Sequence, residues 1–170
     1  MKKIIDENLN PNNDNKVQAN INKEEGGNNM IQKTFDADRE MLHEVLSFVE
    51  GELEKHECNM KTQMMISVMV EEMFVNVASY AYPNTKGTCT IGIEFDGDDV
   101  IISLIDSGIP FDPLAKEDPD ITLSAEERNI GGLGIYMVKQ TMDDVHYERV
   151  NDENHFTFRK GIHWWQKKKT

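Results

Sequence analysis

The chain has 170 residues, of which 38% are hydrophobic, and it carries two cysteines and a formal net charge of −13 at pH 7. This composition excludes a disulfide-rich scaffold and a membrane protein, and the length allows one domain with a sizeable core. Residues 30–158 hold 9 Lys and Arg against 26 Asp and Glu, a balance of −17. Because such a domain repels a phosphate backbone, we expect no direct nucleic-acid binding.

The cysteines and the N-terminus indicate a cytoplasmic protein. Cys58 and Cys89 form no CxxC pair, and the five histidines show no zinc-ligand spacing. The first residues, MKKII, resemble the start of a secretory signal, but Asp6 and Glu7 interrupt it before any apolar segment. No stretch approaches the roughly 18 apolar residues of a membrane span, so we expect no membrane association.

Composition divides the chain into three parts. Residues 1–29 contain nine asparagines and no periodic apolar pattern, which predicts a disordered arm. Residues 161–170 form a basic tail, in which Trp164-Trp165 favours a packing role over a ligand platform. Residues 30–160 carry the periodic patterns of a folded domain.

The first half of this domain predicts one strand and two helices. Residues 31–35 favour a short strand, and Asp36 is the expected N-cap of a helix whose apolar residues recur as far as Leu53. A second helix is predicted over 59–80, and Pro83 follows it. The later predicted elements are a hairpin (88–95 and 100–105), an irregular segment to 131, a helix (134–142) and a second hairpin (145–150 and 155–159).

The order β-α-α-β-β-loop-α-β-β is typical of an α/β (α+β) two-layer sandwich. We expect a mixed, mostly antiparallel sheet with helices on one face.

The second helix carries two polar residues among apolar ones. Glu72 and Asn76 lie one turn apart and fall among methionines and valines, whereas Ser67 and Glu71 share the solvent side. A buried polar group needs a partner, so the pair indicates either a ligand site or a structural hydrogen bond to a loop. The methionines of this helix favour adaptable core packing over a partner-binding face.

Each of two later motifs allows a ligand-binding and a purely structural interpretation. Asp106 is in phase with the apolar residues of its strand, so it is expected to point inward, where a carboxylate followed by Gly108 suits an exocyclic amine. The alternative is an ordinary exit from strand to turn. Gly131, Gly132 and Gly134 precede a helix, and their backbone N–H groups suit phosphates; the alternative is a flexible linker.

In this order and spacing, the three motifs resemble the ATPase superfamily of gyrase, the large heat-shock chaperones and histidine kinases. They are most similar to the stand-alone anti-sigma-factor serine/threonine kinases. The matching segments are Glu72-x-x-x-Asn76 with Tyr80-Ala81-Tyr82-Pro83, then Asp106-Ser107-Gly108-Ile109-Pro110-Phe111-Asp112-Pro113, then Gly131-Gly132-Leu133-Gly134-Ile135. The resemblance covers residues 30–160 and implies an ATP-binding, kinase-like domain.

The resemblance also implies roles for single residues. Glu72 is the expected general base, Asn76 the Mg²⁺ ligand, and Asp106 the acceptor for the adenine amine in a pocket shaped by Gly108. The residues expected around the phosphates are Arg128, Gly131, Gly132 and Gly134. The late strand has Asn154-His155-Phe156-Thr157 where relatives commonly have a Gly-Thr pair, and Thr157 is the expected adenine-side contact.

Two functions are compatible with these motifs. One is an ATP- and Mg²⁺-dependent serine/threonine kinase that phosphorylates a small antagonist protein, with a sigma factor as a further partner and a homodimer as its assembly. The other is an ATP-dependent binding module with little or no phosphotransfer. A histidine kinase would need a phospho-accepting histidine upstream, and residues 1–42 contain none.

Overall fold

In the computed structural model, residues 20–22, 30–115 and 133–162 are described, with only the backbone at 20–22 and 133. The strands are β1 (Asn20–Asn22), β2 (Met30–Asp36), β3 (Thr88–Asp96), β4 (Asp99–Asp106), β5 (Asp144–Val150) and β6 (Glu153–Gly161). The helices are α1 (Leu42–Lys55), α2 (Met60–Asn76), which continues into a π turn over Val77–Ala81, and α3 (Leu133–Thr141). Short 3₁₀ turns cover Arg39–Met41 and Pro113–Ala115.

The described strands form one sheet in the order β1-β2-β3-β4-β6-β5. Every described neighbouring pair is antiparallel. The predicted fold class is confirmed, and the sheet is antiparallel between all described neighbours rather than mixed. One addition comes from the N-terminal arm, where β1 (Asn20–Asn22) pairs with the first residues of β2, from Met30 to Gln32.

Side-chain alternation decides which residues of the sheet face the helices. On β4 the apolar side chains of Val100, Ile102 and Leu104 are buried, and Asp106 continues the same face at the strand end. Their partners on β6 are the even-numbered residues, so Phe156 and Phe158 lie on that face too. The helices cover this face, and one core cluster joins it to buried residues of α1, α2 and α3.

The two hairpin turns follow from residues that tolerate positive φ. Gly97 has φ +59 between β3 and β4, and Asn151 and Asp152 have φ +50 and +66 between β5 and β6. Asn and Asp are among the few side chains that adopt this conformation readily. Both predicted hairpins are therefore confirmed.

The expected N-cap of the first helix is wrong by two residues. Asp36 still belongs to β2 and pairs with Thr88, so the chain stays extended beyond it. Asp38 caps the 3₁₀ turn that leads into α1, because its side chain accepts a hydrogen bond from the backbone N–H of Glu40 at 3.0 Å. The second helix is capped by Asn59, whose side chain accepts from the N–H of Thr62 at 3.0 Å.

The stretch Met60–Ala81 is more apolar than the sequence analysis allowed. By length and composition it could span a membrane, with a mean hydropathy of 1.2, so the expectation that no stretch approaches a span is wrong on this measure. Helices of domain cores have the same composition. Ile66, Val70 and Phe74 are fully buried in the core of this domain, which accounts for the apolar character of the helix.

The methionines of α2 divide into two groups. Met69 and Met73 are buried in the core, as expected, whereas Met60 and Met64 are exposed. The prediction that all of them pack in the core is therefore wrong for these two. Periodicity explains the division, because residues 60, 64 and 68 share a face that points away from the sheet.

Candidate functional site

The candidate site is a cleft between the end of α2, the end of β4 and the segment that follows β4. The cleft has a volume of about 80 Å³ and opens to solvent on one side. Its apolar surface comes from Met73, Val77, Leu104, Ile109 and Phe156. The remaining lining residues are Asn76, Tyr80, Ala81, Asp106, Phe111, Pro113, Tyr147 and Asn154.

Asn76 reaches this cleft from the last residue of α2. It is half-buried and precedes the π turn, a local widening that is frequent at functional sites. Met73, Val77 and Tyr80 follow the same helical face into the cleft. The structure thus places Asn76 and Asp106, which are far apart in the sequence, on one cavity.

Asp106 is buried at the end of β4 and is held through one oxygen. Its Oδ1 accepts hydrogen bonds from the backbone N–H of Gly108 and from Nδ2 of Asn154, both at 2.9 Å. The hydrogen bonds described for this side chain all use Oδ1, which leaves Oδ2 to accept from a ligand. The inward direction that strand periodicity predicted for Asp106 is therefore what the fold provides.

Asn154 organises the polar end of the cleft, and the sequence analysis did not single it out. Its Oδ1 accepts from the hydroxyl of Tyr147 and from Nη1 of Arg149, each at 2.9 Å. These two donors fix the amide so that Nδ2 points to Asp106 and to the carbonyl of Ile109, at 2.9 and 3.0 Å. In the sequence, Asn154 is in phase with the apolar residues Phe156 and Phe158 of its strand, and this alternation could have predicted that it faces the helices.

Thr157 does not reach the cleft, which corrects its expected adenine-side role. It pairs with Ser103, and the two hydroxyls are 3.1 Å apart on the face opposite to Asp106. The physical reason is the alternation of β6, which sends the side chains at 154, 156 and 158 toward the helices and the one at 157 away from them.

Gly108 shapes the segment that follows Asp106. A Cβ at this position would lie 2.5 Å from both Cβ and the carbonyl oxygen of Ala81. The next residue, Ile109, donates its backbone N–H to that same carbonyl at 3.0 Å. A side chain at 108 would therefore push the β4 exit away from the π turn and widen the cleft.

Glu72 lies outside the cleft lining and is exposed, so the expectation that it is buried beside Asn76 is wrong. Its carboxylate packs against Gly134, where an added Cβ would overlap its Oε2. Gly134 therefore permits α3 to approach α2 at this point. Glu71 is also exposed, as predicted.

Other expected phosphate contacts lie outside the described residues. These are Arg128, Gly131 and Gly132. Of that group, the structure describes Gly134 alone, and the contact it shows is with Glu72.

Two groups near Asp106, the Cys89 thiol and the Tyr82 hydroxyl, have raised pKa values. Burial raises the pKa of the Cys89 thiol, and the negative charge of Asp106 across the strand pair raises it further. The pKa of Tyr82 is also raised, first by burial. The hydroxyl of Tyr82 donates to the carbonyl of Thr88 at 2.8 Å and accepts from the N–H of Ser107 at 2.9 Å. Cys89 and Tyr82 therefore add no negative charge beside Asp106 at neutral pH.

Comparison with protein families decides what kind of domain holds this cleft. Residues 35–160 match the family model of the histidine kinase-like ATPase domain. The chain belongs to this family. Its Asp106 and Asn76 thus line the cleft of an ATPase domain, and ATP binding is the activity that the family supports.

Thirteen chains among the solved structures are similar to this one. This ATPase domain is 17% identical to the catalytic domain of histidine kinase ThkA, in a nucleotide-free form, with a TM-score of 0.44. The likeness covers 77% of this chain and 97% of that one. A search of curated protein sequences finds no match.

Proposed function

We propose that this ATPase domain is a protein serine/threonine kinase that uses ATP and Mg²⁺ to phosphorylate a small antagonist protein. The observation that carries the proposal is the arrangement of Asp106, fixed through Oδ1 with Oδ2 left for a ligand, at the end of an apolar cleft. The motif resemblance to the anti-sigma-factor kinases supports the choice of protein substrate.

Adenine suits this cleft because one edge of the base donates a hydrogen bond. The 6-amino group of adenine donates to the carboxylate of Asp106. The 6-oxo group of guanine is itself an acceptor, so it forms no hydrogen bond with that carboxylate. The apolar side chains of Leu104, Ile109 and Phe156 suit the faces of a planar base. A site built on one buried acceptor rejects a ligand that cannot pair with it, so we expect ATP to bind more tightly than GTP.

Asn76 is the residue that fits a magnesium ion beside the phosphates. Mg²⁺ prefers oxygen ligands and is commonly held by one or two side chains together with water and substrate phosphates. The described residues hold no cluster of three or more His, Cys, Asp or Glu that could bind a metal by itself. A single amide oxygen at the cleft edge therefore suits an ion shared with ATP. When bound, the ion would neutralise phosphate charge next to a strongly acidic domain.

Glu72 is the proposed general base. It is exposed, one turn before Asn76, and it can meet a substrate that arrives from solvent. In the transfer step, a substrate hydroxyl oxygen bonds to the γ-phosphorus as the bond to the ADP oxygen breaks, and the hydroxyl proton passes to the Glu72 carboxylate. The contact with Gly134 limits the positions open to this carboxylate.

The proposal extends to the setting of the protein. It is cytoplasmic, acts on a protein rather than on nucleic acid or a membrane, and assembles as a homodimer that also binds a sigma factor. The net charge of −13 supports the exclusion of nucleic acid, and the resemblance of the motifs supports the protein substrate, the sigma factor and the homodimer.

Two measurements test the proposal in sequence. Calorimetric titration with ATP and Mg²⁺ should show binding, and GTP should bind more weakly. Incubation of the protein with γ-labelled ATP and candidate antagonist proteins should then label a serine or threonine. Binding without labelling of any cognate antagonist would leave the ATP-dependent binding module as the function, and absence of ATP binding would remove both.

A further inference from the structure

A second groove lies on the face of the molecule between α1 and α2. It has a volume of about 330 Å³ and is open to solvent along one side. Met60, Met64 and Val68 line it and are 77%, 64% and 48% exposed, at intervals of one helical turn. The other lining residues are Leu46, Glu50, Gln63, Ser67 and Glu71. Adaptable methionine side chains on an exposed apolar stripe are typical of surfaces that bind a partner segment.

The charge of this groove has one sign. Two of its lining residues are the carboxylates Glu50 and Glu71, and none of the described lining residues is basic. Glu50 accepts a hydrogen bond from the hydroxyl of Ser67 at 3.0 Å, which ties the two helices together across the groove. A matching segment would therefore present apolar side chains together with lysine or arginine.

The described chain ends beside one end of this groove. At Ile162 the side chain is buried, the backbone N–H donates to the carbonyl of Asp98 at 2.8 Å, and the carbonyl accepts from Nδ2 of Asn59 at 2.6 Å. Asn59 is the N-cap of α2 and directly precedes Met60. The chain after Ile162 thus starts at a fixed point next to Met60, the first residue of the exposed methionine stripe formed by Met60, Met64 and Val68.

The sequence that follows has the matching chemistry. After His163 come the only two tryptophans of the protein, Trp164 and Trp165, and then Gln166 and three lysines up to Lys169. Seven extended residues reach about 23 Å. The eleven helical steps from Met60 to Glu71 span about 17 Å, so the segment is long enough to run along the groove.

We propose that residues 163–169 dock in the α1–α2 groove of the same chain. The tryptophans pack on Met60 and Met64, and the lysines that follow lie near the carboxylates of Glu50 and Glu71. This order follows from the distance of each residue from Ile162. The groove is formed by the helix that carries Glu72 and Asn76, on a surface away from the cleft.

Charge favours this occupant over a second copy of the domain. Glu50 and Glu71 line this groove, so a second copy of the same acidic groove is repelled, whereas the lysines of 167–169 are attracted to it. The same attraction is screened by salt, which gives the docking a property that can be measured on the unmodified protein.

Tryptophan fluorescence of the full chain tests the docking. Because both tryptophans lie in the segment, acrylamide quenching should be weaker, and emission at shorter wavelength, in the native protein than in the chain unfolded by guanidinium. Met64→Gln and Glu71→Gln should each raise the quenching, and so should high salt. The matched controls are Met137→Gln, a 43%-exposed methionine of α3, and Glu148→Gln, a carboxylate of β5, and neither should change it.

Three results would overturn the inference. Quenching of the native protein equal to that of the unfolded chain means that the segment is in solvent. Protected tryptophans that do not respond to Met64→Gln or Glu71→Gln mean that they pack elsewhere. Protection that disappears on dilution means that the groove binds the segment of a second copy. Circular dichroism of each variant verifies the fold, and the salt titration of the native protein needs no variant.

Discussion

Nδ2 of Asn154 lies 2.9 Å from Oδ1 of Asp106, although the two residues are 48 positions apart in the sequence. The contact joins the ends of the adjacent antiparallel strands β4 and β6. The same amide is oriented by Tyr147 and Arg149, both from β5. The carboxylate that we assign to adenine is therefore positioned by groups from three strands. A pre-oriented acceptor costs little reorganisation when a ligand binds, which is the reason such networks contribute to affinity.

Asp106→Asn tests the acceptor directly. The amide retains one oxygen for Asn154 and Gly108 but replaces Oδ2 with a donor, so we expect ATP affinity to fall by about tenfold or more. Calorimetry of the nucleotide complex measures the change. Asp152→Asn, an exposed turn position with φ +66 that suits asparagine, is the control. Equal ATP affinity in Asp106→Asn and the native protein would contradict the adenine assignment.

Asn154→Ala and Thr157→Val separate the two faces of β6. The first removes the donor to Asp106 and the acceptor for Tyr147, so we expect weaker ATP binding and a loss of about 2 kcal/mol in the free energy of unfolding. The second breaks only the contact with Ser103 on the opposite face and should leave ATP affinity unchanged. Denaturant unfolding and calorimetry give both quantities. The reverse ranking of ATP affinities would restore Thr157 to the site.

Glu72→Gln separates binding from transfer. The substitution keeps the size of the side chain and its packing on Gly134 but removes the proton acceptor. We expect ATP affinity to stay within about twofold and phosphate transfer to fall by 10²-fold or more, on the order of a general base's contribution. Glu44→Gln, an exposed residue of α1, should leave both unchanged. Transfer at the native rate in Glu72→Gln would assign the proton to another group.

Gly108→Ala and Gly51→Ala form a pair with opposite expected signs. At 108 the new Cβ meets Ala81 at 2.5 Å, so we expect a loss of about 1–3 kcal/mol in unfolding free energy together with weaker ATP binding. At 51, within α1, nothing lies within 4 Å, and alanine should stabilise the helix by about 0.5–1 kcal/mol. Thermal unfolding measures both. A neutral Gly108→Ala would show that the β4 exit does not need the close approach to the π turn.

Part of the site was predictable because it depends on local periodicity. The period-two pattern of β4 predicted an inward Asp106, and the order of elements predicted the sandwich that the structure confirms. The role of Gly108 as the residue that allows a close backbone approach was also readable, although its contact with Ala81 was not. Glu72 was placed wrongly, because helical periodicity alone does not show where α3 packs and where solvent begins.

The amino-acid sequence by itself determined the elements, the two hairpins and the acidic charge, since these depend on side-chain pattern and composition. Tertiary structure decided which residues meet. The pairing of β6 with β4 brought Asn154 to Asp106 and turned Thr157 to the other face. The burial of Ile162 at the N-cap of α2 placed the end of the sheet beside the methionine stripe. Cross-strand register and packing set these contacts, and neither is encoded in the spacing of one segment.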